Sequence, residues 1–175
     1  MEKSARRLSA PEWLILLGGS FFIIVLFVSA YWEADIRWLH FFQTWMYIAT
    51  IALSLRGNRW GYFIGISAAG FWDYTNLFVT TFFAAGLQQT SIWFHTGHLP
   101  RPDLFIAVPA WLSNLLVVLG CLWSYSRHLA KSRADLARFV ITFIFTTAFF
   151  AGAMALFQPR YLGLFPRLLH PHLHL

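Results

Sequence analysis

Apolar positions along this chain fall into five runs, each near or above the roughly 20 residues that a helix needs to cross about 30 Å of hydrocarbon. The runs cover residues 13–31, 36–55, 60–87, 104–126 and 137–157. Short polar connections separate them: WEAD, RGNR, QQTSIWFHTGHLPRPD and RHLAKSRADL. None is rich enough in Gly, Ser or Pro to act as a domain linker, and no internal repeat is evident. The pattern predicts an all-α, polytopic membrane protein. It forms one up-and-down bundle of five helices over residues 1–175, with 158–175 as an amphipathic, histidine-containing tail on the outer surface.

The first run carries a second signal. MEKSARR precedes it, and Val28-Ser29-Ala30 supplies small residues of the kind found at a secretory cleavage site. Its apolar part, residues 14–28, is at the long end for a signal peptide, so it is read as a retained membrane helix.

Charge sets the expected orientation. Lys3, Arg6, Arg7, Arg56, Arg59, Arg127, Lys131, Arg133 and Arg138 fall on one side of the alternating topology. Only Arg37, Arg101, Arg160 and Arg167 fall on the other. The positive-inside rule then places the N-terminus in the cytoplasm and the C-terminus outside, in a bacterial-type inner membrane or its equivalent. Removing any middle span would scramble this asymmetry. Trp13, Trp32, Trp38, Trp60, Trp93 and Trp123 lie at or near the expected interfaces, where indoles prefer to sit.

Composition agrees with that class. The chain is 58% hydrophobic, 19% aromatic and 11% charged, against roughly 25% charged residues in soluble domains. The net charge of +6 is explained by clusters between apolar runs, so no nucleic-acid partner is expected. A single cysteine, Cys121, excludes an internal disulfide, a four-thiolate metal site and a CxxC redox pair. In length, span number and aromatic content the chain resembles the tryptophan-rich sensory proteins, small five-helix membrane proteins. That family's aromatic–proline signature is absent here, and no residue role follows from the likeness.

Lipid supplies no hydrophobic drive for helix association, so small residues that let backbones approach matter most. Gly57, Gly61, Gly65 and Ala69 form such a row and mark the third helix as central. Ala148 and Gly152, with Ala151 and Ala155 beside them, suggest a second row on the fifth. Pro109 is expected to bend the fourth.

Polar residues recur near the middle of the spans. Asp73 lies thirteen residues into the third run, about 20 Å along a helix and so near the bilayer centre. Asn76 and Thr80 follow it on one face, and Trp72 and Tyr74 flank it. Gln43 and Tyr47 stand on the second helix, Ser113 and Asn114 on the fourth. Amides and carboxylates facing lipid would cost several kcal/mol, so these groups should turn inward. No Lys, Arg or His lies near the membrane centre to pair with Asp73. Three roles fit it: protonated structural glue, a proton or cation site, or the counter-charge of a cationic ligand among aromatic faces.

Six histidines, His40, His95, His98, His170, His172 and His174, fall toward the outer side. HTGH and HPHLH hold enough imidazoles for a metal or haem, but their spacing fits interfacial residues better than a ligand set. Glu33, Asp35 and Asp103 read as outer-surface charge balance. No HExxH, Walker loop, GxSxG or paired acidic motif appears, so no enzyme activity and no cofactor are expected.

The leading expectation is a binder or carrier of a small apolar, cationic or proton-linked molecule. Its pocket, centred on Asp73, would be lined by Gln43, Tyr47, Trp72, Asp73, Asn76, Ser113 and Asn114. The alternatives are a non-catalytic accessory or scaffolding subunit, with a membrane-protein partner or a second copy, and a metal or haem redox subunit using the outer histidines.

Overall fold

The computed structural model describes residues 7–128 and 131–169. Seven α-helices form among them: α1 (Ala10–Trp32), α2 (Arg37–Ser54), α3 (Arg59–Phe78), α4 (Phe82–Thr96), α5 (Pro102–Phe105), α6 (Ala107–His128) and α7 (Ala134–Phe157). Turns of 3-10 helix cover Ala34–Ile36 and Pro159–Leu169. No strand occurs among the described residues.

Three stretches are long and apolar enough to cross a membrane: Ala10–Trp32, Pro102–Arg127 and Ala134–Phe157. Their outward faces are greasy. Leu17, Phe21, Ile24 and Phe27 of α1 are exposed, as are Leu112 and Leu119 of α6 and Ile141, Ile144 and Phe145 of α7. The interior, conversely, holds Gln43, Thr50, Ser54, Ser67, Ser113, Asn114, Ser124 and Thr146. A chain folded in water places these two classes the other way round.

Local chemistry sets the helix ends. The Glu12 carboxylate accepts from the Ser9 N–H and from the Ser9 hydroxyl, both at 2.8 Å, with Pro11 in the first turn of α1. Gly57 takes φ +69° in the turn after α2, a left-handed conformation suited to glycine. The Asn58 side chain then accepts from Trp60 N at 3.0 Å and starts α3. Gly97, at φ +68°, closes α4.

One expectation about span continuity is corrected. The run 60–87 is not one helix: α3 stops at Phe78 and α4 starts at Phe82. Val79, Thr80 and Thr81 are β-branched and stiff at χ1, which weakens helix formation there. Thr80 N closes on Thr75 O at 2.9 Å, one residue beyond the α-helical spacing. Thr80 Oγ1 then accepts from Phe82 N at 3.3 Å and opens the next helix. Asp73 therefore lies five residues before the end of a 20-residue helix, not at the midpoint of a longer one. The fourth run is also interrupted, one turn before Pro109, where the absent N–H and the ring of a proline disturb a helix. The interruption is at Ile106, and Pro109 occupies the first turn of α6.

Helix α1 packs most extensively on α6, and α3 touches α2, α4, α6 and α7. The close approaches are made by glycines. A Cβ on Gly61 would lie 2.5 Å from Ser54 N, and one on Gly65 would lie 2.6 Å from Cys121 Sγ. Gly57 sits outside the helix and takes no part in the row. The α1–α6 contact uses glycines that the sequence reading did not single out: a Cβ on Gly18 would meet Ser113 O at 2.6 Å, and one on Gly120 would meet Pro11 O at 2.9 Å. On α7 the expected small-residue row faces outward. Ala148, Gly152 and Ala155 are exposed, while Thr142, Thr146, Phe150 and Ala153 face the bundle.

Asp135 ties three helices together at the end where α3 begins. Its two oxygens each accept from Arg59 Nη1 at 2.9 Å, and Oδ1 accepts from Arg138 Nη1 at 2.6 Å. Oδ2 also accepts from Tyr125 OH at 3.0 Å and Ser132 N at 2.9 Å. At the opposite end Arg160 pairs with Asp35, the Gln158 amide donates to Asp35 O, and Tyr74 OH donates to Leu168 O at 2.8 Å. The tail is thereby folded back over the bundle.

Candidate binding cavity

Under that folded-back tail lies a cavity of about 460 Å³. Helical spacing builds its walls. Phe22, Val25, Leu26, Ser29 and Glu33 line it from α1 and its C-terminal edge, and Ile36, Leu39, His40 and Gln43 line it from the start of α2. Both sets follow the 3- and 4-residue steps of a single helix face. The end of α3 adds Phe71, Trp72, Thr75 and Asn76, and the break after it adds Thr80, Thr81 and Phe82. Asp103, Leu104 and Ile106 close one side, Phe150 and Met154 another, and Tyr161 and Leu164 of the tail the top.

The wall is chiefly apolar and aromatic. Phe22 stacks on Tyr47 with ring centroids 4.4 Å apart and meets Trp72 edge-on at 5.2 Å. Trp72 in turn meets Phe82 edge-on at 6.3 Å. Such tilted contacts suit the ring quadrupoles and hold the indole in place.

The seven residues expected to form one pocket separate into two groups. Gln43, Trp72 and Asn76 line the cavity; Tyr47, Asp73, Ser113 and Asn114 do not. Successive helical residues point about 100° apart, so Trp72 can face the cavity while Asp73 turns away from it. Asp73 belongs instead to a contact among α2, α3 and α6. There Tyr47 OH donates to Asn114 Oδ1 at 2.7 Å, and Asn114 faces the Asp73 carboxyl. Asp73 Oδ1 and Asn114 Nδ2 are nevertheless both buried without a hydrogen-bond partner. Ser113 Oγ donates to Ala110 O at 2.7 Å, a local bond of the kind usual for serine in membrane helices.

Asn76 also differs from expectation, because it satisfies itself locally. Its Nδ2 donates to Trp72 O at 2.9 Å and its Oδ1 accepts from Thr80 Oγ1 at 3.2 Å. Gln43 remains: it is 7% exposed, and its Oε1 has no partner.

His40 is the cavity residue that sequence reasoning set aside. Its Nδ1 lies 3.0 Å from Leu26 O. A carbonyl oxygen only accepts, so Nδ1 carries the proton. The signal was available, since His40 and Gln43 share a face of α2 at three-residue spacing. Among the described residues no group of three or more His, Cys, Asp or Glu could hold a metal ion; His170, His172 and His174 lie outside the described residues. The chain matches no family model, no curated protein and no solved structure.

Proposed function

We propose that the chain is a five-span protein of the cell membrane, N-terminus inside, that binds or carries a small, largely apolar molecule in the cavity under its tail. Gln43 carries the reading: a buried amide with an unpartnered oxygen, on the wall of an aromatic chamber. Leaving such a group unpaired costs about 1–3 kcal/mol, which a bound polar head would recover. A volume of about 460 Å³ lies within the range of small-molecule sites.

The topology rests on the greasy outer belt and on length. At 1.5 Å per residue, α2 and α3 reach about 27 and 30 Å, enough to span with their polar side chains turned inward. Cysteine labelling tests it, in a background with Cys121 replaced by alanine. His98→Cys should react with an impermeant maleimide on intact cells, and Arg133→Cys only after permeabilisation. Reaction of both on intact cells, or of neither until permeabilisation, would overturn the five-span reading.

Trp72 tests the binding role. An ω-bromododecyl probe, added to protein in lipid nanodiscs, should quench wild-type fluorescence saturably and by more than it quenches Trp72→Phe. Identical quenching of the two proteins would sink the proposal.

A second reading is favoured by the outward row Ala148, Gly152 and Ala155, which is small and exposed. In lipid such a face lets another helix approach closely. It fits an accessory subunit that holds a partner or a second copy there.

A further inference from the structure

We propose that the cavity selects molecules whose polar head is a hydrogen-bond donor, a hydroxyl or ammonium group on an apolar body; this rests on the cavity being a binding site. The polar groups of the wall divide into spent and unspent. Thr75 Oγ1 donates to Phe71 O at 2.8 Å, and Asn76 is engaged with Trp72 O and Thr80 Oγ1. Thr80 Oγ1 itself accepts from Phe82 N. The Asp103 carboxylate is held by Arg101, with its shortest contact 2.6 Å.

The hydroxyls of Ser29, Thr81 and Tyr161 and the Glu33 carboxylate also line the wall, and Gln43 and His40 supply its acceptors from α2. The Gln43 Oε1 is an acceptor with nothing to accept from. Because His40 Nδ1 donates to Leu26 O, the free nitrogen is Nε2, an acceptor in the neutral ring. Both residues line the cavity from one face of α2. The lining atom that is buried and left without a partner, Gln43 Oε1, is an acceptor, and it shares the wall with Phe22, Trp72 and Phe82.

A ligand O–H or N–H satisfies these acceptors. A purely apolar or ether-headed molecule fills the same space and leaves them unpaired. Discrimination of this kind is steep, because the cost falls on the site's own buried groups. Glu33, on the same wall, would add Coulomb attraction for an ammonium head but not for a hydroxyl.

Three probes with one tail decide the matter: ω-bromododecanol, ω-bromododecylammonium and ω-bromododecyl methyl ether. Each is titrated into protein in nanodiscs at matched membrane mole fraction, and the Trp72-specific quenching is wild type minus Trp72→Phe. A donor-headed probe should act at roughly tenfold lower concentration than the ether, with the ratio falling toward one in Gln43→Leu. An ether as potent as the donors overturns donor selection while leaving the binding reading intact. Absence of Trp72-specific quenching by all three overturns both. Preference for the ammonium probe that vanishes in Glu33→Gln supports an amine ligand; equal potency of alcohol and ammonium supports an alcohol. Should Gln43→Leu fail to fold, His40→Phe takes its place, and the wild-type ratio decides by itself.

Discussion

Gly61→Ala and Gly18→Ala should each destabilise the fold by about 1–3 kcal/mol, the usual cost of overpacking a close contact. The added methyl at residue 61 would sit 2.5 Å from Ser54 N and 2.8 Å from Leu53 C, both backbone atoms of α2. At residue 18 it would sit 2.6 Å from Ser113 O of α6. Backbone cannot rotate aside as a side-chain tip can, so the helices must separate and lose the dispersion that holds them in lipid. Gly152→Ala is the control, since nothing lies within 4 Å of its added methyl. Alanine is the better helix former, so that variant should match or slightly exceed wild type. Thermal unfolding in a mild detergent reads all three. A Gly61→Ala protein that melts with wild type would show that α2 and α3 do not depend on their close approach. Gly152→Leu adds a further arm: the monomer should fold normally, while any partner held on the outer face of α7 should be lost.

Asp135→Ala should produce the other large loss of stability. The carboxylate is the common acceptor for Arg59 of α3, Tyr125 of α6 and Arg138 of α7. Removing it takes the shared carboxylate from two guanidinium groups, a more damaging change than the loss of an exposed pair. The melting temperature should fall by several degrees and the yield of folded protein should drop. Asp135→Asn keeps an acceptor oxygen but not the charge, so it should fall between wild type and Ala. An Asp135→Ala protein as stable as wild type would mean that the three helices are held at that end by apolar packing alone.

This buried acidic hub was not legible in the sequence. ADLARF reads as a helix start with Asp135 in its first turn, where a carboxylate has a sufficient local role. Arg59 lies 76 residues earlier, and no spacing rule links the two. The same limit explains the division of the expected pocket. Periodicity showed that Asp73, Asn76 and Thr80 share one side of a helix, but it did not show where Thr80 would break that helix. Nor did it show that Asn76 would turn to Trp72 O. On α2, likewise, Gln43 was expected in the pocket beside Tyr47, whereas its cavity neighbours are Leu39 and His40.

The sequence by itself determined that this protein is helical, with long apolar stretches of membrane-crossing length, and that the mid-span amides Gln43 and Asn114 turn inward. Those properties follow from side-chain transfer energies and from the periodicity of one helix, which are local. Only the tertiary structure decided which inward groups meet. It placed Asp73 against Asn114 and off the cavity wall, gathered Arg59 and Arg138 on Asp135, and folded the tail over His40 and Gln43. Those outcomes depend on how the faces of different helices pack at glycine contacts, a property of pairs of segments that no single stretch of chain contains.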